Sequence, residues 1–221
     1  MSSKYERELR QALAGVEKGV EAIIRSCNPI EKEKMRLVIK RPFLVVRAAG
    51  SGMEGSGDLL ALRGDMSFPI EVKSSKESKL YLSGRTTEQY NALKLEGERC
   101  RLMPLYAFRV KGTRGDSWRI FRVETSNLSG KLRKLSSSIP KLPRTRNDSP
   151  HLDWYQGMPL NEFIALVCSQ SGEKERDLAN LKTRAQKNEH TRMNQGDSTK
   201  DWFDSPQNYD VLSELIKRKT N

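Results

Sequence analysis

Asp58, Glu71 and Lys73 are the residues in this chain whose types and spacing could do chemistry. They form the pattern Asp-x12-Glu-x-Lys, with the last two members inside the run Phe68-Pro69-Ile70-Glu71-Val72-Lys73. The two-residue period of a strand sends Phe68, Ile70 and Val72 to one face and Glu71 and Lys73 to the other, so one face is core and the other charged. Asp58 opens the preceding apolar run, directly after the glycine-rich stretch AGSGMEGSG, and a hairpin returning through Gly64 brings it beside Glu71. Two carboxylates can hold a divalent cation that polarises a phosphodiester and lowers the pKa of bound water; magnesium, with manganese as its substitute, prefers such hard oxygen ligands. Lys73 can orient or activate the attacking water and stabilise charge on the phosphate, and the backbone carbonyl of Val72 is a further candidate ligand. Taken alone the pattern does not single out a nuclease, because many exposed strands carry Glu-x-Lys.

The composition agrees with a polyanionic partner. Of 221 residues, 40 are Lys or Arg and 28 Asp or Glu, a formal net charge of +12. The length suits one globular domain with extra segments. Cys27, Cys100 and Cys168 lie far apart with no CxxC pair, which argues against a disulfide scaffold or zinc knuckle and for a reducing compartment. His151 and His190 are too few for a histidine-rich metal site and disfavour a Ser/His/Asp triad. No Gly-Lys-Ser/Thr follows the glycine-rich stretch, so a nucleotide-binding P-loop is disfavoured. The chain opens without an apolar leader and has no run of the ~20 apolar residues a membrane span needs, so no membrane association and a cytoplasmic, nucleoid-associated location are expected.

Several elements must position these groups. Tyr5, Leu9, Leu13, Val16, Val20, Ile23 and Ile24 recur at helical spacing and predict one amphipathic helix ending at Asn28-Pro29, followed by a charged, short second helix over Glu31 to Arg41. Strands are predicted over Phe43 to Ala48, Asp58 to Leu62 and Phe68 to Lys73, a helix over Thr86 to Arg101, and strands over Leu105 to Val110 and Trp118 to Val123. That order is an α/β sandwich core. Residues 129–150, with Lys131, Arg133, Lys134, Lys141, Arg144 and Arg146, read as a basic linker or DNA-contacting arm. A short helix is expected over Leu160 to Cys168, and disorder or a solvated helix over 170–200. The apolar cluster from Trp202 to Ile216 suits a docking element.

The order of Tyr5-Glu6-Arg7-Glu8-Leu9, Val45-Val46-Arg47-Ala48-Ala49-Gly50-Ser51, Asp58-Leu59-Leu60-Ala61-Leu62, Ile70-Glu71-Val72-Lys73 and Leu80-Tyr81-Leu82-Ser83 resembles the archaeal Holliday junction resolvases, members of the PD-(D/E)xK nuclease superfamily. The resemblance runs from about Lys4 to Glu124. It implies a restriction-endonuclease-like core with a central mixed five-stranded sheet flanked by helices, plus a basic, partly disordered C-terminal extension. In that reading 1–128 is the nuclease core with an insertion at about 22–41, 129–150 the basic linker, and 151–221 the extension.

The same resemblance implies a homodimer that cuts two opposed strands of a four-way DNA junction with magnesium, in homologous recombination and repair. It assigns Glu6, Asp58 and Glu71 with Val72 to the metal, Lys73 to the water and scissile phosphate, and Arg7, Arg47 and Ser51 to DNA. Gly57 stands where the superfamily name has proline. A replication or repair protein is a candidate partner for the C-terminal extension. The insertion and tail also leave open a related nuclease of restriction, flap or mobile-element type, and a non-catalytic DNA-binding protein stands as the reading from another class.

Overall fold

In the computed structural model, which describes residues 4–48 and 57–170, Gly15 divides the helix expected from Tyr5 to Ile24 into α1 (Lys4–Leu13) and α2 (Glu17–Ile24). Its φ is +67°, and a Cβ there would lie 2.7 Å from the carbonyl oxygen of Val38. The chain therefore turns at a residue that can adopt the left-handed region beneath a packed neighbour. Asn28 and Glu31 then start α3 (Pro29–Lys40) with a reciprocal capping box, Oδ1 of Asn28 accepting from the Glu31 N–H and the Asn28 N–H donating to the Glu31 carboxylate, both at 2.9 Å. This is the expected charged helix, begun two residues earlier because Pro29 suits the first helical position.

The strands are β1 (Leu44–Arg47), β2 (Leu59–Arg63), β3 (Met66–Ser75), β4 (Lys79–Tyr81), β5 (Leu105–Val110), β6 (Trp118–Arg122), β7 (His151–Asp153) and β8 (Met158–Pro159), with helices α4 (Arg85–Cys100) and α5 (Gly130–Ser138) between them and a last helix, α6, over residues 160–170. The main sheet runs β1-β2-β3-β5-β6-β8, and β4 pairs with β7 in a second, two-stranded sheet. The β3–β5 pair is parallel and its neighbours are antiparallel, so the sheet is mixed. It contains the five expected strands, and the two-residue β8 adds an edge beside β6.

Two apolar cores lie against this sheet. One gathers Leu9, Leu13, Val20, Ile24, Met35 and Val38 from the first three helices with Phe68, Ile70 and the α6 residues Phe163, Ile164 and Val167. The other gathers Tyr90 and Leu93 of α4 with Tyr106, Phe108, Phe121, Leu142 and Leu152. Helix α3 and the residues just after it meet α6 through a Lys34–Glu162 ion pair at 2.5 Å, a bond from Arg41 to the Cys168 carbonyl at 2.9 Å, and the stacked rings of Phe43 and Phe163. Buried Asp116 holds the start of α6 by accepting from the backbone and side-chain N–H groups of Asn161, each at 2.8 Å.

Residues 129–150, expected to be a basic arm, are built into this layer. Leu132, Leu135, Ile139 and Leu142 are buried, at three- and four-residue spacings that the abundant basic side chains obscure in the sequence. The segment beyond α5 is tied down by Arg122 N–H to the Pro140 carbonyl and His151 N–H to the Pro143 carbonyl. The readings of residues 171–221 fall outside the described residues.

Candidate active site

Gly64 and Asp65 close the β2–β3 hairpin, with Gly64 at φ +59° in the first turn position, where positive φ suits a two-residue turn. The ladder runs from Arg63↔Met66 to Leu59↔Ile70, and Asp58 stands just past its end. The backbone N–H of Asp58 donates to the Ile70 carbonyl at 2.9 Å. Its carboxylate Oδ2 accepts from the Val72 N–H at 2.8 Å, so a side chain stands in for the next backbone acceptor. Gly57 makes this approach possible: its φ is +70°, and a Cβ there would sit 2.8 Å from the Ile70 oxygen.

Glu71 and Lys73 follow on the same strand and share one face, as the alternation requires. The Lys73 ammonium donates to Glu71 Oε1 at 2.6 Å and to Gln89 Oε1 of α4 at 3.0 Å. Burial pushes the Asp58 carboxyl up to about 6; the Glu71 charge and, more weakly, the Glu6 charge add to the rise, against the Val72 N–H and Lys73. Negative charge thus accumulates at one end of the sheet with a single ammonium between Glu71 and Gln89.

Glu6 lies on α1, 3.6 Å from the guanidinium of Arg47 at the end of β1. It is near enough to raise the Asp58 carboxyl, but among the described residues no group of three or more acidic, histidine or cysteine side chains converges as a metal cage. Arg7 is exposed on α1, and Ser51 lies outside the described residues. Asp58, Glu71 and Lys73 are therefore brought together, with Arg47 and Glu6 at their flank.

Two further side chains belong to this end of the fold. Gln89, one turn into α4, fixes Lys73 from the helix beside it, and its position one residue before the buried Tyr90 is the only signal the sequence offered for it. Tyr106 stands opposite Glu71 in the β3–β5 register, fully buried, with no hydrogen-bond partner for its hydroxyl. Burial, and after it the Glu71 charge, raises that phenol.

Residues 25–133 match the family model described as archaeal Holliday junction resolvase (Hjc). The match spans just under half of the chain. The matched segment contains Arg47, Ser51, Asp58, Glu71, Val72, Lys73 and Gln89, whereas Glu6 and Arg7 precede it. Among solved structures 17 chains match. One is Hjc of Archaeoglobus fulgidus, a Holliday junction resolvase from an archaeal hyperthermophile: it is 22% identical at a TM-score of 0.38, and the alignment covers 61% of this chain and 92% of that one. No curated protein matches.

Proposed function

We propose that this protein is a magnesium-dependent, structure-selective endonuclease that resolves four-way DNA junctions by cutting two opposed strands, in homologous recombination and repair. The observation that carries the reading is the convergence of Asp58, Glu71 and Lys73 inside the segment that matches the resolvase family. The donor chemistry fits the cation. Asp58 and Glu71 offer hard carboxylate oxygens, and magnesium is commonly held by one or two carboxylates with water and phosphate oxygens filling the remaining positions. Asp58, Glu71 and the Val72 carbonyl would hold it, with Glu6 as the further carboxylate; manganese would substitute. When bound, the ion supplies charge neutralisation at the phosphate and acidifies its water.

The chain's own groups do the rest. Lys73 would orient the attacking water and meet charge developing on the scissile phosphate, while Gln89 gives the ammonium a hold besides Glu71. Arg7, Arg47 and Ser51 contact the DNA backbone, so recognition rests on junction shape and phosphate placement rather than base edges. A homodimer presents two such sites to two strands related by a two-fold axis. The working location is the cytoplasm, at the nucleoid, with the C-terminal extension available to a repair or replication partner.

The test is an end-labelled four-way junction beside a matching linear duplex, with and without magnesium, for wild type, Asp58→Asn and Glu71→Gln. Paired symmetric nicks on the junction, lost in both variants while binding persists, are expected. Sequence-fixed cutting of the linear duplex would overturn the junction assignment, and cleavage indifferent to both substitutions would overturn the site.

A further inference from the structure

Glu6 cannot serve the site unless α1 is held at a fixed rotation over the sheet, and the residues that hold it lie on its other side. Positions 6 and 8 of a helix point about 200° apart. Glu8 Oε1 accepts from the Arg109 guanidinium at 2.8 Å and from the Trp118 indole N–H at 3.0 Å. The Arg109 guanidinium in turn lies 4.6 Å from the centre of the Tyr5 ring, and the Lys111 ammonium 5.5 Å from the same ring. Trp118 is fully buried, and the Glu8 and Arg109 side chains are each only 20% exposed. The partners are 101 and 110 residues apart in sequence, so the clamp ties the first helix to β5 and β6 rather than to its chain neighbours.

We infer that Glu8, Arg109, Trp118 and Tyr5 form a positioning clamp that sets the rotation of α1 and thereby delivers the Glu6 carboxylate to the cation site. The inference rests on the proposed reading of Glu6 as a metal-site carboxylate. A charge-assisted bond to a rigid, planar guanidinium restrains direction as well as distance, and a buried indole sharing the same oxygen leaves Glu8 little rotational freedom. Loss of the charge at position 8 loosens the polar side of this restraint while Leu9 and Leu13 keep α1 packed on the core, and a small rotation of the helix then shifts Glu6 relative to Asp58. Groups that orient metal ligands from behind typically govern metal affinity by about 10–100-fold, which sets the size of the expected effect.

The experiment titrates the full chain with Mn2+, following the free-ion signal by electron paramagnetic resonance, for wild type, Glu6→Gln, Glu8→Gln, Arg109→Lys and the Glu6→Gln/Glu8→Gln double variant. Circular dichroism verifies that each is folded, and the isosteric Glu8→Gln keeps an acceptor for the indole. Glu8→Gln and Arg109→Lys are each expected to weaken Mn2+ binding about 10–100-fold, and Glu8→Gln to add nothing once Glu6 is already Gln, since the clamp acts only through Glu6. Weakened binding in Glu6→Gln with wild-type binding in Glu8→Gln would overturn the clamp and leave the reading of Glu6 intact. Additive losses in the double variant would also overturn it, because a merely structural role has that signature. Unchanged binding in Glu6→Gln would overturn the reading of Glu6 itself, and the clamp's purpose with it.

Discussion

At the residue scale the Asp58 carboxyl sets two opposed pH dependences. A carboxyl raised to about 6 on folding, from an ordinary value of 3.8, takes up protons between those limits, so its contribution to stability declines as pH rises through that window. Asp58→Asn removes the buried charge while Asn can still accept from the Val72 N–H. The variant is expected to be more stable than wild type by about 1–2 kcal/mol at pH 7.5, with the difference fading below about pH 4, as measured by denaturant midpoints at both values. Cleavage runs the other way. Under the proposed mechanism the ionised carboxylate is the competent form, so magnesium-dependent junction cleavage should rise with pH through about 6, and saturating metal should move that limb to lower pH by displacing the proton. Gln89→Ala should lower single-turnover cleavage about tenfold with junction affinity unchanged, since one hydrogen bond to the working ammonium is lost. The strand period and a short hairpin made Asp58, Glu71 and Lys73 legible in the sequence. Gln89 and Glu8 were not, because their roles depend on contacts across 16 and more than 100 residues that no local pattern encodes.

At the element scale the fold was legible wherever one apolar period governed a segment. The five main strands and α4 fall where alternation and helical spacing put them. Gly15 broke the first helix because a tight crossing under Val38 outweighed a continuous apolar stripe, and helix α5 was hidden by its own basic surface. Gly57 is the element-level hinge of the site, since the start of β2 must pass against Ile70 at positive φ to present Asp58. Proline at that position is fixed near φ −65° and cannot follow this path. Gly57→Pro is therefore expected to lose about 2 kcal/mol or more of stability, and Gly57→Ala about 1–2 kcal/mol, each read as a lowered thermal midpoint with a larger loss of cleavage than of junction binding.

At the scale of the whole molecule, a net charge of +12 makes association with a polyanion strongly salt-dependent. Each phosphate neutralised contributes about −0.9 to the slope of log affinity against log salt, so junction affinity is expected to fall at least ~100-fold between 50 and 200 mM salt; a slope near zero would remove the phosphate backbone as the main contact. The seam between α3 and α6 carries a different consequence, which concerns the order in which the chain is made. Lys34, Arg41 and Phe43 find their partners at Glu162, Cys168 and Phe163, so the apolar face laid down by the first forty residues stays without its cover while more than a hundred others are synthesised. On a ribosome adding about 5–20 residues per second, that interval lasts several seconds or more, and the sheet strands up to β6, with the charged end, are made before the layer behind them is sealed. A nascent chain of this architecture brings Asp58, Glu71 and Lys73 together before its helical layer is closed, so the apolar helices exposed in that interval are where chaperones and proteases would meet it.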